Sequence, residues 1–180
     1  RRVGALVERI LAGTTREDIV DGGFEDAQFA QPSGLALDGG TLYVADAESS
    51  AIRALDLEHR TVRSVVGLGL FEFGDKDGLG DDVLLQHPLA VLAHEGKLFV
   101  ADTYNHKLKL IDPAPDTRRS AAFLGDGKPG HTDGGAPRFF DPSGLALLNG
   151  KLYVADTNNH AIRVIDLKTR QTSTLQIKLP

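Results

Sequence analysis

The hydrophobic positions of this chain fall in short runs separated by polar or glycine-bearing turns, a pattern typical of β-strands. Near the C-terminus four such runs follow one another, "GLALL" at 144–148, "KLYVAD" at 151–156, "AIRVIDL" at 161–167 and "TSTLQI" at 172–177. They are rich in valine, isoleucine, leucine and tyrosine, which favour strands. The Asn149-Gly150 pair predicts a tight hairpin, because both residue types tolerate positive φ. No stretch shows a sustained period of 3.6 residues, so a helical repeat is disfavoured.

The same four-strand pattern occurs three times along the chain. A proline precedes the first strand of each copy, with spacings of 56 and 54 residues, at Pro32, Pro88 and Pro142. An aspartate ends the second strand of each copy, with the same two spacings, at Asp46, Asp102 and Asp156. Landmarks that stay in register over three copies indicate a repeat architecture.

The composition of the strands predicts how the repeats pack. Second strands such as "LYVAD" are apolar at consecutive positions, which predicts burial on both faces of the sheet. First strands carry small residues, such as Gly34 and Gly144, which suits a crowded position near a central axis. An antiparallel sheet sandwiched between its neighbours is the blade of a propeller. We therefore predict an all-β fold, a β-propeller of four-stranded antiparallel blades, with three blades and one extra strand visible.

The repeats divide the chain into three spans, which we place at 12–67, 68–124 and 125–180. Residues 1–11, "RRVGALVERIL", align with the fourth strands and are predicted to form the outer strand of a preceding blade. Propellers close with about 4 to 8 blades, so we expect further blades from the same chain or from self-association. The sequence also lacks methionine, which leads us to expect a piece of a longer protein.

One motif supports a family resemblance, and it is complete in the third copy: "PSGLAL" at 142–147 followed by "LYVADTNNHAIRVID" at 152–166. It resembles the NHL repeat, named for an Asn-His-Leu triplet. The triplet positions here hold Asn105-His106-Lys107 and Asn159-His160-Ala161, while Ser49-Ser50 stand in the first copy. The resemblance implies a six-bladed propeller. The "DGG…F…P" connectors are most similar to the subgroup in which the propeller follows a thioredoxin-like domain, although the chain has no C-x-x-C motif.

Charge and composition exclude several classes of partner. The 25 acidic and 20 basic residues leave a net charge of −5, whereas nucleic acid favours a positive surface. The absence of cysteine excludes disulfides and thiolate chemistry. No apolar run reaches the roughly 18 residues of a membrane span. We therefore expect neither nucleic acid nor a membrane as partner; the compartment is undetermined, with the cytoplasm as the working expectation.

The recurrent polar residues are predicted to be structural. Histidines beside asparagines can ligate metals or act in acid–base catalysis. Equivalent positions of successive blades lie well apart around the axis, however, so they cannot converge on one ion. We predict that the corner residues instead hydrogen-bond the strand-to-strand turns; these residues are Asn105, His106, Asn159 and His160. The three strand-end aspartates are predicted to cap N–H groups of the turn that follows them.

Two further motifs are weak. "GDGKPG" at 125–130 matches a dinucleotide fingerprint, but that fingerprint needs a following helix, and Pro129 begins more loop. "DKDGLGDD" at 75–82 is similar to a calcium loop, yet position 12 is Gln86 rather than a bidentate glutamate. We predict neither a metal nor a cofactor.

The leading functional prediction is a non-enzymatic scaffold that binds a protein or peptide partner. Specificity is expected at corner positions that differ between copies, namely Glu48, Tyr104 and Asn158, followed by Ala51, Lys107 and Ala161. Tyr104 is the expected aromatic anchor, and His131 is a further candidate in a glycine-rich connector. The alternative is a metal-dependent propeller enzyme of the lyase or lactonase type, with its site in the central channel.

Overall fold

The structure is a computed structural model that describes residues 11–176, and β-strands dominate it. The strands are β1 Gly22–Gly23, β2 Pro32–Asp38, β3 Thr41–Asp46, β4 Ala51–Asp56, β5 Thr61–Val66, β6 Gly78–Leu79, β7 Ala90–His94, β8 Lys97–Asp102, β9 Lys107–Asp112, β10 Arg119–Leu124, β11 Pro142–Leu148, β12 Lys151–Asp156, β13 Ala161–Asp166 and β14 Thr172–Thr174. Helix within this range is limited to short 3-10 segments at Gly80–Asp82, Thr103–Asn105 and Thr157–Asn159. The predicted all-β class is confirmed.

The strands form three antiparallel sheets. Their hydrogen-bonded orders are β1-β5-β4-β3-β2, β6-β10-β9-β8-β7 and β11-β12-β13-β14, and we call them blade 1, blade 2 and blade 3. Each blade is a meander of four consecutive strands, as predicted. The short strands β1 and β6 extend blades 1 and 2 at the outer edge, and in blade 3 an isolated bridge between Gly134 and Thr172 takes the same place.

The hairpins between first and second strands have the predicted turn chemistry. Asn149 and Gly150 have φ of 50° and 72°, and Glu95 and Gly96 have φ of 49° and 70°. Positive φ at both central positions matches the right-handed twist of the flanking strands. In blades 2 and 3 the corners between second and third strands contain the 3-10 segments Thr103–Asn105 and Thr157–Asn159, which the sequence pattern did not predict, and the blade 1 corner is a turn at residues 47–50.

Neighbouring blades bury their facing sides against each other. One apolar cluster joins blades 1 and 2 and contains Tyr43, Ala45, Ile52, Leu98, Val100 and Ile111. A second joins blades 2 and 3 and contains Phe99, Ala101, Leu108, Leu152, Val154 and Ile165. Burial on both faces is therefore complete in blade 2, where the last five residues of β8 are buried. In β12 burial alternates, because no further blade among residues 11–176 covers the outer face of blade 3.

The first strands of neighbouring blades approach closely, which explains one of their small residues. A Cβ added at Gly34 would lie 2.7 Å from Ala90 Cα and 2.7 Å from Leu89 O. Side-chain bonding also joins the strands, since Ser33 Oγ donates to Leu89 O at 3.0 Å. Any larger residue at position 34 would push these blades apart.

Two boundary predictions differ from the structure or lie outside it. The fourth strand of blade 3 ends at Thr174 rather than 177. The preceding-blade strand predicted at 1–11 falls on residues 1–10, which lie outside the described residues, and on Leu11, which belongs to no strand. The strands of each sheet lie inside one of the three predicted spans, whose boundaries stay predictions.

Candidate binding surface at the blade corners

The corners between second and third strands lie at one end of the blades, together with the connectors that lead into β7 and β11. In each corner one residue adopts left-handed backbone: Ser50, His106 and His160, with φ of 49°, 53° and 52°. A histidine or serine in this conformation turns the chain back within a single residue. This end of the molecule holds most of the residues that the sequence singled out.

The strand-end aspartates are fully buried, but their partners differ from the prediction. Asp46 Oδ1 accepts a hydrogen bond from Ala30 N at 2.8 Å, and Asp102 Oδ1 accepts one from Gln86 N at 2.7 Å. Asp156 likewise accepts one from Phe140 N at 2.7 Å. The predicted capping of the following turn is therefore wrong. The strand directs each carboxylate across the blade, where it holds the segment that precedes the first strand.

The asparagines of the corners connect three segments. Asn105 Nδ2 donates to Asp102 Oδ2 at 2.8 Å and to Gly74 O at 2.7 Å. Asn159 repeats the arrangement with Asp156 Oδ2 at 2.8 Å and Gly130 O at 2.7 Å. In blade 1 a serine stands at this position, and its hydroxyl donates to the Asp46 carboxylate at 2.8 Å. The asparagine therefore bonds the connector as well as its own corner.

The histidine of a corner reaches the next blade. His106 Nδ1 lies 3.0 Å from Asp141 Oδ1 and 3.3 Å from Asp141 N. In blade 1, Ser50 Oγ takes the same place and accepts a hydrogen bond from His87 N at 3.2 Å. His160 is exposed, since the described residues contain no blade beyond it. The contact therefore depends on a neighbouring blade.

Three buried basic residues complete the corners, and sequence reasoning missed them. Arg53, Lys109 and Arg163 are fully buried on the third strands. Arg163 Nη1 donates to Asp156 Oδ2 at 2.7 Å, and its Nη2 donates to Asp133 Oδ1 at 2.6 Å. The three basic positions have the same spacings of 56 and 54 residues as the aspartates. These equal spacings are the sequence signal that could have identified the three basic residues.

Burial shifts the pKa of two strand-end carboxyls, Asp46 and Asp102. Burial raises the pKa of Asp46, although Ser49 and the Ala30 amide oppose the shift. Burial raises the pKa of Asp102 further, to about 7, against hydrogen bonds from Gln86 N and Asn105. The Asp102 carboxyl therefore titrates near neutral pH.

A groove of about 310 Å³ lies between the corner of blade 1, the corner of blade 2 and the connector between these blades. It is lined by Glu48, Ser50, Leu70, Phe71, Phe73, Gln86, His87 and Tyr104. The aromatic side chains are unusually accessible, since Phe71 is 85% exposed, Phe73 56% and Tyr104 51%. The structure thus brings two predicted specificity residues, Glu48 and Tyr104, to one place and adds two phenylalanines that the sequence analysis did not single out.

The groove has one rigid wall. The Tyr104 ring stacks on the His87 ring with centroids 4.6 Å apart and planes within 7°. Glu48 Oε2 lies 3.6 Å from His87 Nδ1. Glu48 therefore contacts the ring on which the tyrosine stacks, so the two predicted positions are coupled through a residue of the connector. We call this surface the corner groove.

The other predicted binding residues lie elsewhere. The Lys107 ammonium pairs with Asp75, and its side chain is only 14% exposed. Asn158 Nδ2 donates to the Asp141 carboxylate, and His131 Nε2 lies 3.0 Å from Thr174 Oγ1. None of the three lines the corner groove, and a binding role for them stays a prediction.

The chemistry of the two weak motifs is structural. Asp75 and Asp77 of the calcium-like segment both accept hydrogen bonds from Lys109 Nζ, at 2.6 and 2.7 Å. The next regular element after residues 125–130 is the strand β11 rather than a helix. No group of three or more His, Asp or Glu side chains among residues 11–176 is placed to hold a metal ion, and the enzyme alternative stays a prediction. No helix in that range is long and apolar enough to cross a membrane.

Comparisons with known proteins agree with the fold and the corners. The chain is 45% identical over 189 residues to Protein SUPPRESSOR OF QUENCHING 1, chloroplastic, of Arabidopsis thaliana, covering 96% of this chain and 18% of that protein. It is 43% identical over 167 residues to NHL repeat-containing protein 2 of Homo sapiens, covering 84% of this chain and 23% of that protein. The chain thus spans about a fifth of the length of these relatives.

Solved structures share the architecture. A crystal structure from Bacteroides thetaiotaomicron matches with a TM-score of 0.64 at 17% identity, covering 86% of this chain and 37% of that chain. Streptogramin B lyase matches with a TM-score of 0.57 at 11% identity, covering 88% and 44%. Identities this low show the fold alone. The NHL repeat family matches residues 29–55 and 139–165. These two ranges contain the hairpins whose second strands end at Asp46 and Asp156. The chain therefore belongs to the NHL-repeat β-propeller family.

Proposed function

We propose that this propeller chain is a protein-binding module whose recognition surface is the corner groove. The observation that carries the proposal is the cluster of exposed aromatic side chains, with Phe71 85% exposed and Phe73 56% exposed on the connector. Aromatic residues are enriched among the side chains that dominate binding energy at protein interfaces. Attachment to a thioredoxin-like domain in a parent protein stays a prediction from the family resemblance.

The charges beside the groove define the chemistry of the partner. Glu48 is 46% exposed, and the exposed Glu72 lies between the two phenylalanines. Glu72 forms no ion pair with a basic side chain of residues 11–176. An apolar groove with acidic groups at its rim favours a peptide segment with an apolar side chain next to lysine or arginine. We therefore commit to such a segment as the occupant.

A displayed peptide library tests the proposal directly. Peptides are selected on the wild-type chain and counted again on Tyr104→Ala and Phe71→Ala. We expect the enriched peptides to carry an apolar residue beside a basic one, and each variant to weaken them by about 30-fold, since a hot-spot residue contributes about 2 kcal/mol.

Leu79→Ala is the matched control, because Leu79 is 59% exposed and lies outside the groove. It should leave peptide affinity unchanged. Circular dichroism establishes that each variant is folded. Selected peptides that bind folded Tyr104→Ala and Phe71→Ala with wild-type affinity would show that recognition occurs on another surface.

A further inference from the structure

A second pair of grooves opens at the opposite end of the blades, beside the first hairpins and the turns between third and fourth strands. The groove between blades 1 and 2 has a volume of about 430 Å³. The groove between blades 2 and 3 has a volume of about 770 Å³. Both values fall in the range of roughly 300–1,000 Å³ that small-molecule sites occupy, so the side chains that line the grooves decide what each can hold.

The smaller groove is crossed by an arginine. Arg63 reaches across it, and its Nη2 donates to Pro113 O of the neighbouring blade at 2.8 Å. Arg63 pairs across the strands with Ala54, and the equivalent pair in blade 2 is Ala121 with Leu110. Cross-strand partners share one face of a sheet. The groove between blades 2 and 3 therefore has a methyl group where the other groove has an arginine.

Aromatic side chains form the floor of the larger groove. Phe99, Leu110 and Phe123 line it from blade 2. The rings of Phe99 and Phe123 meet edge to face, with centroids 5.1 Å apart. Phe99 is only 6% exposed, so its position is set by the core. The accessible part of the floor comes from Leu110 and Phe123, which are half-buried and offer an apolar surface to a flat ring.

The turn between the third and fourth strands of blade 3 forms the opposite wall of the groove, and its side chains are positively charged. Lys168 and Arg170 line the groove, and neither pairs with a carboxylate among residues 11–176. The Arg170 guanidinium lies 5.2 Å from the centre of the Phe123 ring. That contact places the guanidinium over the face of the Phe123 ring.

The acidic residues that line the groove are already occupied or lie in solvent. The Asp166 carboxylate accepts hydrogen bonds from Lys168 N at 3.1 Å and from Thr169 N at 2.8 Å. The Glu95 side chain is 85% exposed, and its Oε1 lies 3.7 Å from His94 Nε2. The charge available to a ligand inside the groove is therefore positive.

We propose that the groove between blades 2 and 3 binds a small aromatic carboxylic acid. The ring lies on Leu110 beside Phe123, and the carboxylate is held by Arg170 and Lys168. Arginine suits this role because its planar fork binds a carboxylate through two parallel hydrogen bonds. This site is separate from the corner groove and takes a different class of ligand.

A matched pair of ligands tests the charge requirement. 3-Phenylpropionate and its neutral amide are titrated into the chain and followed by ligand-observed NMR. We expect the carboxylate to bind about tenfold more tightly or better, because hydrogen bonds to charged groups are roughly twice as strong as neutral ones. Equal affinity for the two ligands would overturn the proposal.

Two variants test the location. Ala121→Arg imitates the arginine of the smaller groove and should abolish binding of the carboxylate. Arg170→Gln, a change at an exposed position, should weaken it at least tenfold and keeps the test open if the first variant does not fold. Lys128→Gln, at the other end of the blades, is the control and should bind normally. Wild-type affinity in folded Arg170→Gln would also overturn the proposal.

Discussion

Blades 2 and 3 surround their buried strand-end aspartate with different basic residues, and the difference changes which carboxylates the basic side chain bonds. In blade 3, one arginine spans the cluster, bonding both Asp156 and Asp133. In blade 2, Lys109 Nζ bonds Asp75 and Asp77 at 2.6 and 2.7 Å. Lys109 makes no hydrogen bond to Asp102. The single Lys109 nitrogen is engaged by these two connector carboxylates, whereas the two-pronged Arg163 guanidinium also reaches the strand-end aspartate.

The surroundings change together with the basic residue. The Arg163 guanidinium lies over the Phe139 ring at 5.4 Å, and in blade 1 Arg53 lies over Phe29 at 5.0 Å. The corresponding position in blade 2 is Leu85. Burial is the largest influence on Asp102 and raises its pKa to about 7, against hydrogen bonds from Gln86 N and Asn105. The comparison teaches that a repeat can keep its fold while the basic residue beside its buried aspartate changes.

Removing the guanidinium of blade 3 should have the largest effect. Arg163→Met leaves Asp156 buried without a cation, and breaking a buried pair in this way costs about 3–5 kcal/mol. Urea unfolding of wild type and variant measures the loss. Arg138→Met is the control, because the Arg138–Asp126 pair is exposed at 42% and 45% and should contribute at most about 1 kcal/mol. A loss as small as the control's would mean that the cluster does not stabilise blade 3.

The pH dependence of stability should come next. Since the folded pKa of Asp102 is about 7 and its usual value is 3.8, the folded chain retains a proton that the unfolded chain releases above pH 4. Stability from this group is therefore present at low pH and is lost as pH rises toward 7. Between pH 5 and pH 8 we expect a loss of about 2–3 kcal/mol, measured by urea unfolding at both values.

Asp102→Asn is the control for this pH dependence. It should remove most of the slope between pH 5 and pH 8. The raised pKa of Asp46 leaves a smaller slope of the same sign. If the variant retains the full slope, the titrating group lies elsewhere and the contrast between the two blades is wrong.

Converting blade 2 into the blade 3 arrangement should have a moderate effect. In Lys109→Arg combined with Leu85→Phe, the guanidinium can reach Asp102 and rest on the new ring. We expect a stabilisation of about 1–1.5 kcal/mol at pH 8, with a flatter pH dependence. Unfolding at pH 5 and pH 8 measures both. Leu85→Phe alone is the control, because overpacking the buried Leu85 site without the arginine should destabilise.

The smallest effect concerns the corner asparagine. Asn105→Ser imitates Ser49 of blade 1, which bonds its aspartate but not the connector. The variant loses the hydrogen bond to Gly74 O, and we expect a cost of about 1 kcal/mol or less. Hydrogen exchange at the Gly74 and Asn105 amides should accelerate while the strands of blade 1 stay protected. Unchanged exchange would show that the serine corner holds the connector equally well.

The polar cluster itself was only partly predictable. Asp102 and Asn105 stood out because they recur in register, and this recurrence predicted a structural role for them. Their partners were not predictable, because the Gln86 amide and the Gly74 carbonyl belong to connector segments that meet Asp102 and Asn105 only after the sheet forms. Lys109 looked like an ordinary strand lysine, since burial of a charged residue depends on the neighbours that surround it.

The residues of the corner groove were also only partly predictable from the sequence. Glu48 and Tyr104 were predicted as specificity positions from their variation between copies. Phe71 and Phe73 lie in a connector without a repeated pattern, so no periodicity distinguished them. Their contribution to the groove comes from the path of the connector, which places them beside the stacked rings of His87 and Tyr104.

The sequence by itself determined the strand meander, the three-fold repetition and the turn chemistry, because these depend on alternation, spacing and local backbone preference. Only the tertiary structure decided which charges are buried together, which face of each blade is covered and which grooves stay open. Arg63 and Ala121 illustrate the reason, since their residue types are plain in the sequence. Whether a side chain fills a groove depends on the distance to the neighbouring blade, and that distance is set by packing between blades.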